Sequence, residues 1–433
     1  SADPSRGAWP MTEALIARRR AVLGRHTPLL YTRPLHLVSG SGAWVTDSDG
    51  RHYLDCYNNV PHVGHCHPAV VAAIARQAAL LNINTRYLHE TIVDYAERLT
   101  ATFDAPLSSV HFTCTGTEAN ELALRIAAFV TRAQGVIVTT SNYHGNSSVL
   151  SALTTAFPVP EAFPDFARAV AAPDPYRSGL DPVAEGDRFV ADIGAAVASL
   201  ATAGVGVRAL LLDTILSTEG LPTIPTDALA RAVALVRAAG GMFIADEVQP
   251  GFGRMGDAMW GYQHHNIVPD IVTLGKPMGN GHPIAAVVTS DAVIETFGAE
   301  SFYFNTFAGN PVSCAAALAV LDVIAHEGLV KNAARVGSHL RAGLGDILQR
   351  HRVIGDIRGR GLFVGIELVE DASGAPAESL TMRVVDAMRD EGVLVSRIGP
   401  HGNILKLRPP MVLSKPDADR VVEALDTVLE RLS

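Results

Sequence analysis

From about residue 66 the chain alternates between two hydrophobic periods. Val70, Ile74, Ala78 and Leu81 recur at helical spacing, as do Leu122, Ile126 and Phe129, and again Leu229, Val233 and Val236. Apolar residues three to four apart share one face of a helix. Gly240 and Gly241 close the third stripe as a helix stop. Between the stripes lie unbroken apolar runs, 136-VIVTT-140, 208-RALLLDTIL-216, 241-GMFIADEV-248 and 284-IAAVVT-289. Runs without polar alternation suit strands buried on both faces, which a parallel sheet between helix layers provides. The pattern predicts an α/β protein whose large unit, residues 61–324, holds a mostly parallel sheet flanked by helices. After residue 325 it changes to a helix, an alternating segment 362-LFVGIEL-368 and a C-terminal helix. That predicts a smaller α+β unit over 325–433, completed by residues 10–60, with a loose polar tail over 1–9.

Composition narrows the class. At 433 residues, 48% hydrophobic and 18% charged, the chain is globular and not disordered. A net charge of −9 argues against nucleic acid or an anionic membrane as partner. No apolar run approaches the roughly 20 residues of a membrane span, and the first nine residues lack signal-peptide character. Cys56, Cys66, Cys114 and Cys314 are too irregularly spaced for a disulfide framework. A reduced, cytoplasmic enzyme is the expectation. Only four of the 35 cationic residues are lysine: Lys276, Lys331, Lys406 and Lys415. Arginine replaces lysine as a surface charge but not as an amine nucleophile, so each lysine is a candidate for chemistry.

Functional residues of parallel α/β sheets gather past the carboxyl ends of strands. Asp246 ends the apolar run GMFIAD, and Lys276 ends 270-DIVTLGK-276. These are the residue types of a pyridoxal phosphate site: a lysine to form the Schiff base and a carboxylate for the protonated pyridine nitrogen. Spacing alone leaves open an ordinary strand-end Asp and a surface Lys. In 115-TGTEANELALRIA-127, Gly116 and Thr117 open a helix, where free amides and the dipole suit a phosphate; an ordinary Thr cap fits equally. In 142-NYHGN-146, Tyr143 is either a ring to stack on a flat cofactor or part of a surface turn. Two rival motifs are weaker. The run 62-HVGHCH-67 has no second ligand pair at zinc spacing, and 251-GFGRMG-256 does not directly join a strand to a helix as a dinucleotide fingerprint must. No metal is expected.

Together these segments resemble the class III aminotransferases, pyridoxal phosphate enzymes of fold type I. The likeness is carried by 111-HFTCTGTEAN-120, 143-YHG-145, 244-IADEVQPGFGR-254, 273-TLGKPMGNGHPIAA-286 and 305-NTFAGNP-311. The resemblance implies that Gly116 and Thr117 bind the cofactor phosphate, Tyr143 stacks on the ring and Asp246 pairs with its nitrogen. Gln249 approaches the phenolic oxygen and Lys276 holds the Schiff base. Thr306 reaches the phosphate of the neighbouring subunit, which implies a homodimer with active sites at the interface; whether dimers pair into tetramers is open.

Within the family the likeness is to the ammonia-forming phospholyases that act on ethanolamine phosphate. It rests on 53-YLDCYNNVPHVGHCHPAVV-71, 80-LLNINTRYLHETIVDYAERL-99, 275-GKPMGNGHP-283, 354-IGDIRGRGLFVGIEL-368 and 403-NILKLRPPM-411. Transaminases of this class usually carry an arginine for the substrate carboxylate where Lys406 stands, which fits a phosphorylated amine without that carboxylate; a neutral swap is the alternative. The segment 213-DTILSTEGL-221 departs from the pattern: Asp213 stands for a Glu, and Glu219 replaces one of two paired glycines. Elimination of a substrate phosphate needs a second cationic pocket. Arg86 is the leading candidate, with Asn58, Asn59 and Lys406 as further ones. Competing expectations are an ω-aminotransferase using a keto acid and a catalytically silent binding protein.

Overall fold

The computed structural model describes residues 9–370 and 373–432. Residues 1–8 of the expected tail lie outside that range, and residue 9 already opens the helix Trp9–Leu23. Strands β1 (Leu37–Ser41), β2 (Trp44–Asp47) and β3 (His52–Asp55) form an antiparallel N-terminal ribbon. The large sheet uses β4 (Leu107–Thr113), β5 (Gly135–Thr139), β6 (Ala167–Val170), β7 (Val207–Asp213), β8 (Met242–Asp246), β9 (Ile271–Leu274) and β10 (Ala285–Ser290). Its order is β4-β10-β9-β8-β7-β5-β6, parallel except for β10, which runs against both its neighbours.

The central strands β5, β8 and β9 are buried at every position, as expected of strands covered by helices on both faces. Their register puts Asp213 opposite Asp246, and Asp246 opposite Thr273. One level edge at the carboxyl ends therefore presents three polar side chains side by side.

Two details differ from the sequence pattern. The run 208–216 does not stay extended: β7 stops at Asp213, whose carboxylate takes the amides of Ile215 and Ser217 and folds the chain into a turn. The buried stripe of helix Pro68–Leu80 is Val70, Ala73 and Gln77, with Ala78 and Leu81 exposed. Helix Pro311–His326 packs against this helix, and the rotation that seats Ala73 and Gln77 turns Ala78 outward.

The C-terminal sheet contains β11 (Ile354–Arg360), β12 (Phe363–Glu370) and β13 (Ala375–Pro376), followed by β14 (Val393–Leu394), β15 (Ser396–Ile398) and β16 (Ile404–Leu407). Its order is β11-β12-β16-β15, with β13 on β12; β14 instead pairs in parallel with β3 and so joins the N-terminal ribbon to the C-terminal unit. The segment predicted to alternate is β12, which is buried on both faces up to its last residue.

Helix Leu329–Leu348 lies so close to the β11–β12 turn that a Cβ at Gly337 would stand 2.0 Å from the Gly361 carbonyl oxygen. Gly337→Ala must push the helix off the turn. We expect a loss of about 2 kcal/mol in denaturant unfolding, in the range found for overpacked cores.

Candidate active site

The level edge opens into a cleft of about 120 Å³, lined by Gly116, Thr117, Tyr143, Asp246, Gln249 and Lys276 among others. Asp246 is buried at its floor. Its Oδ2 accepts from the Asn120 side chain (2.9 Å) and from His144 Nδ1 (2.7 Å), and its Oδ1 accepts from the Val248 amide (3.0 Å). Burial alone pushes this carboxyl up, but the His144 hydrogen bond and charge, with the Val248 and Asn120 donors, hold it below its ordinary value. His144 is the converse: burial disfavours its cation, yet the Asp246 contact and the nearby carboxylates raise it. Asn120 is itself fixed, donating also to the His144 carbonyl (2.8 Å) and accepting from Thr273 (2.6 Å).

Helix Gly116–Thr131 starts at one wall. Thr115 and Glu118 form a reciprocal capping box. That box satisfies the third amide of the helix, and the Gly116 and Thr117 amides keep no protein acceptor among the described residues. Free amides at a helix start attract an anion. Gly145, at φ +147°, keeps the adjoining loop close: a Cβ there would lie 2.8 Å from Thr117 Oγ1. Tyr143, next to it, is 37% exposed and meets Phe157 edge-on. Lys276, two residues past β9, is held below its ordinary pKa by burial and by the charge of Arg408, against the pull of Asp246 and Asp213.

The 213–221 turn forms the far side. The Asp213 carboxyl is raised by burial and by Asp246. Glu219 is buried, accepts from the Thr139 hydroxyl, and is pushed up to about 7 by burial and by Asp213. The structure explains why only one of the expected paired glycines is replaced. At Gly220, φ +109°, a Cβ would lie 2.4 Å from Ile404, whereas the side chain at 219 has the Thr139 hydroxyl to reach. The C-terminal sheet grips the turn: Lys406 donates to the Ser217 carbonyl (2.9 Å), buried Arg358 to the Gly220 carbonyl (2.8 Å), and the Gly399 amide to the Thr218 carbonyl (3.3 Å).

The remaining sequence candidates lie elsewhere. Lys406 is buried behind the turn, its ammonium 5.2 Å from the Phe363 ring centroid. Asn58 donates to Asp55 (3.0 Å), the turn-forming alternative for an asparagine. Asn59 is buried and donates to Gln249 (3.3 Å). Arg86 is exposed over the Phe304 ring, and Thr306 is exposed two residues further along that segment. Sequence reasoning passed over Arg408. Its Nη1 donates to Gln249 Oε1 (2.6 Å), its Nε to the Tyr57 carbonyl (2.6 Å), and its guanidinium lies over the Tyr57 ring. No carboxylate pairs with it among the described residues. Its only sequence signal was a second cation two residues after Lys406.

A flat cofactor with a phosphate at one end and a basic ring nitrogen at the other fits this cleft: free amides at one wall, an ionised carboxylate on the floor, and an amine between them. The family description of class III aminotransferases matches residues 30–429, and the chain belongs to that family, whose cofactor is pyridoxal 5′-phosphate. It is 49% identical to a solved phospholyase from Arthrobacter in complex with phosphoethanolamine, at a TM-score of 0.94 over 96% of this chain and 99% of that one. It is also 42% identical to a Drosophila melanogaster alanine–glyoxylate aminotransferase 2-like protein, over 96% of this chain and 88% of the relative. To a Caenorhabditis elegans ethanolamine-phosphate phospho-lyase homolog 1 it is 36% identical, over 96% and 93%.

The raised Glu219 carboxyl sets a pH dependence. Between 4.5 and about 7 the folded state binds a proton here that the unfolded state has released, so stability falls as pH rises through that window. Glu219→Gln removes this contribution. Thermal unfolding of the apoprotein across that range is expected to show a variant slope less negative than wild type by about 1 kcal/mol per pH unit.

Proposed function

We propose that this protein is a pyridoxal-phosphate-dependent phospholyase that converts O-phosphoethanolamine, or a related amino-alkyl phosphate, to an aldehyde, ammonia and phosphate. The observation that carries this reading is Arg408, a guanidinium held only by neutral partners, which donates to the cleft-lining Gln249 and whose charge acts on Lys276. The likeness to a phospholyase holding phosphoethanolamine points the same way.

In this reading Gly116 and Thr117 seat the cofactor phosphate, Tyr143 covers a ring face, Asp246 meets the ring nitrogen and Gln249 faces the phenolic oxygen. Lys276 supplies the amine that links to the cofactor aldehyde. Pyridoxal phosphate, when bound, supplies an electron sink for the pair left on the amine-bearing carbon. Asp246, held ionised by His144, keeps a proton on the ring nitrogen. Once the substrate amine has taken its place at the aldehyde, the freed Lys276 would take a proton from the substrate carbon, which requires the neutral amine that burial and Arg408 favour. The substrate phosphate on the next carbon, held by Arg408, leaves with the C–O bonding pair, because a guanidinium stabilises charge growing on those oxygens. Water hydrolyses the remaining enamine to aldehyde and ammonia.

The same reading assigns a homodimer. Around Arg86 and Thr306 the apolar side chains of Tyr87, Leu88, Phe302 and Phe307 are exposed, and an apolar patch of this kind marks a protein interface. A second copy docked there would bring its Thr306 to this chain's cofactor phosphate and place Arg86 at the cleft mouth.

Aminotransferase activity is the second reading, favoured by the name of the Drosophila relative. Incubation with phosphoethanolamine and no keto acid separates the two. Release of inorganic phosphate and acetaldehyde is expected; amino transfer to a keto acid without phosphate release would overturn the first reading. At saturating cofactor, Arg408→Met is expected to raise KM for phosphoethanolamine roughly a hundredfold, the scale of one lost charge-assisted contact. Arg86→Ala should raise it about threefold, as for a contact shared with solvent, and an unchanged KM would remove Arg86 from the site.

A further inference from the structure

Ser217 ties together three separate stretches of the chain: its own turn, the segment of Gln249 and the strand of Lys406. It is fully buried in the 213–221 turn. Its hydroxyl donates to the Asp213 carboxylate and accepts from the Gln249 side-chain amide. Its backbone amide donates to the same carboxylate (3.3 Å), and its carbonyl accepts from Lys406 (2.9 Å). Gln249 in turn accepts from Arg408 (2.6 Å) and Asn59 (3.3 Å). The donors therefore run one way: from the Arg408 guanidinium to Gln249, from Gln249 to Ser217, from Ser217 to Asp213. A cation heads the chain, an anion ends it, and each neutral group between is oriented by its neighbours. Aligned dipoles of this kind strengthen one another. Gln249 and Asp213 both line the cleft, while Ser217 and Lys406 do not.

We propose that Ser217 is a positioning residue for the cofactor. One hydroxyl, used as donor and acceptor at once, sets Gln249 and Asp213 in place at the cleft, and Lys406 serves that arrangement by fixing the serine's backbone and does not touch substrate. Ser217→Ala removes both bonds. The Gln249 amide is left buried without its acceptor, and Asp213 keeps only backbone donors.

The test is a double-mutant cycle read on cofactor binding. Ser217→Ala and Gln249→Ala are each expected to raise the pyridoxal phosphate dissociation constant about tenfold, and the double variant no more than about twentyfold, because the two act through one chain. Apoprotein melting curves confirm that each variant is folded. Thr218→Ala, in the same turn, should leave both the dissociation constant and the pH at which the bound cofactor's absorption band changes at wild-type values, whereas Ser217→Ala shifts that pH. Lys406→Gln retains a donor for the Ser217 carbonyl and should leave KM for phosphoethanolamine unchanged. A roughly hundredfold, multiplicative effect in the double variant would overturn the proposal; so would a tenfold rise in KM for Lys406→Gln with cofactor binding intact. The cofactor measurements use no substrate, so their outcome is independent of the phospholyase reading.

Discussion

A carboxylate buried at the centre of a sheet edge must be met by donors, and Asp246 organises much of this molecule for that reason. An ionised group taken out of water costs several kcal/mol unless charge and hydrogen bonds replace its hydration. Here the replacements come from three directions: His144 from the loop after β5, Asn120 from the helix Gly116–Thr131, and the Val248 amide from the chain's own continuation. Asn120 is fixed in turn by Thr273 on the next strand. The helix that carries Asn120 also carries the free amides of Gly116 and Thr117. The requirement at Asp246 thus sets the distance between the two ends of the cleft before any cofactor enters.

The cleft's opposite side meets a different difficulty. Asp213, Glu219 and Asp246 crowd three carboxyls into one buried region, and each of the first two is raised partly by a neighbouring carboxylate. Arg408 brings compensating charge without a close ion pair to these acids, spending its donors on a carbonyl and an amide oxygen, while burial and Arg408 hold Lys276 and Lys406 below their ordinary values. Diffuse compensation leaves charge free to respond to what binds. A closed set of salt bridges would have neutralised the site in advance.

The sheet was legible in the chain because strands covered on both faces cannot hide their apolar runs, and β5, β7, β8 and β10 lie where such runs stand. Asp246 and Lys276 were legible only together with the helix start at Gly116 and Thr117 and the 142–146 segment, because a strand-end Asp or a lone Lys is by itself commonplace. His144, Ser217 and Arg408 carried no comparable signal. Their roles arise from contacts between segments far apart in sequence, Ser217 with Lys406 being separated by 189 positions, and neither composition nor periodicity records which polar atoms meet. Lys406 was visible as an anomaly but not as an anchor. Its rarity marked the position; only the Ser217 carbonyl shows what the ammonium does. The helix Pro68–Leu80 shows the same limit in its packing. Its apolar residues allow more than one face, and the partner helix chose between them.

The grip of the C-terminal sheet on the 213–221 turn bears on how the molecule can move. Lys406 and Arg358 are both buried, and each binds a carbonyl of that turn from a separate strand, with the Gly399 amide as a third fastening. Prising the two units apart at this seam would leave the buried Lys406 side chain without its acceptor, while Arg358 would lose the Gly220 carbonyl and keep Asp356 and Glu367; an unmet buried donor of this kind costs about 1–3 kcal/mol. The seam therefore behaves as a weld and not as a hinge. The C-terminal unit is thereby fastened to the floor of the cleft along the 213–221 turn.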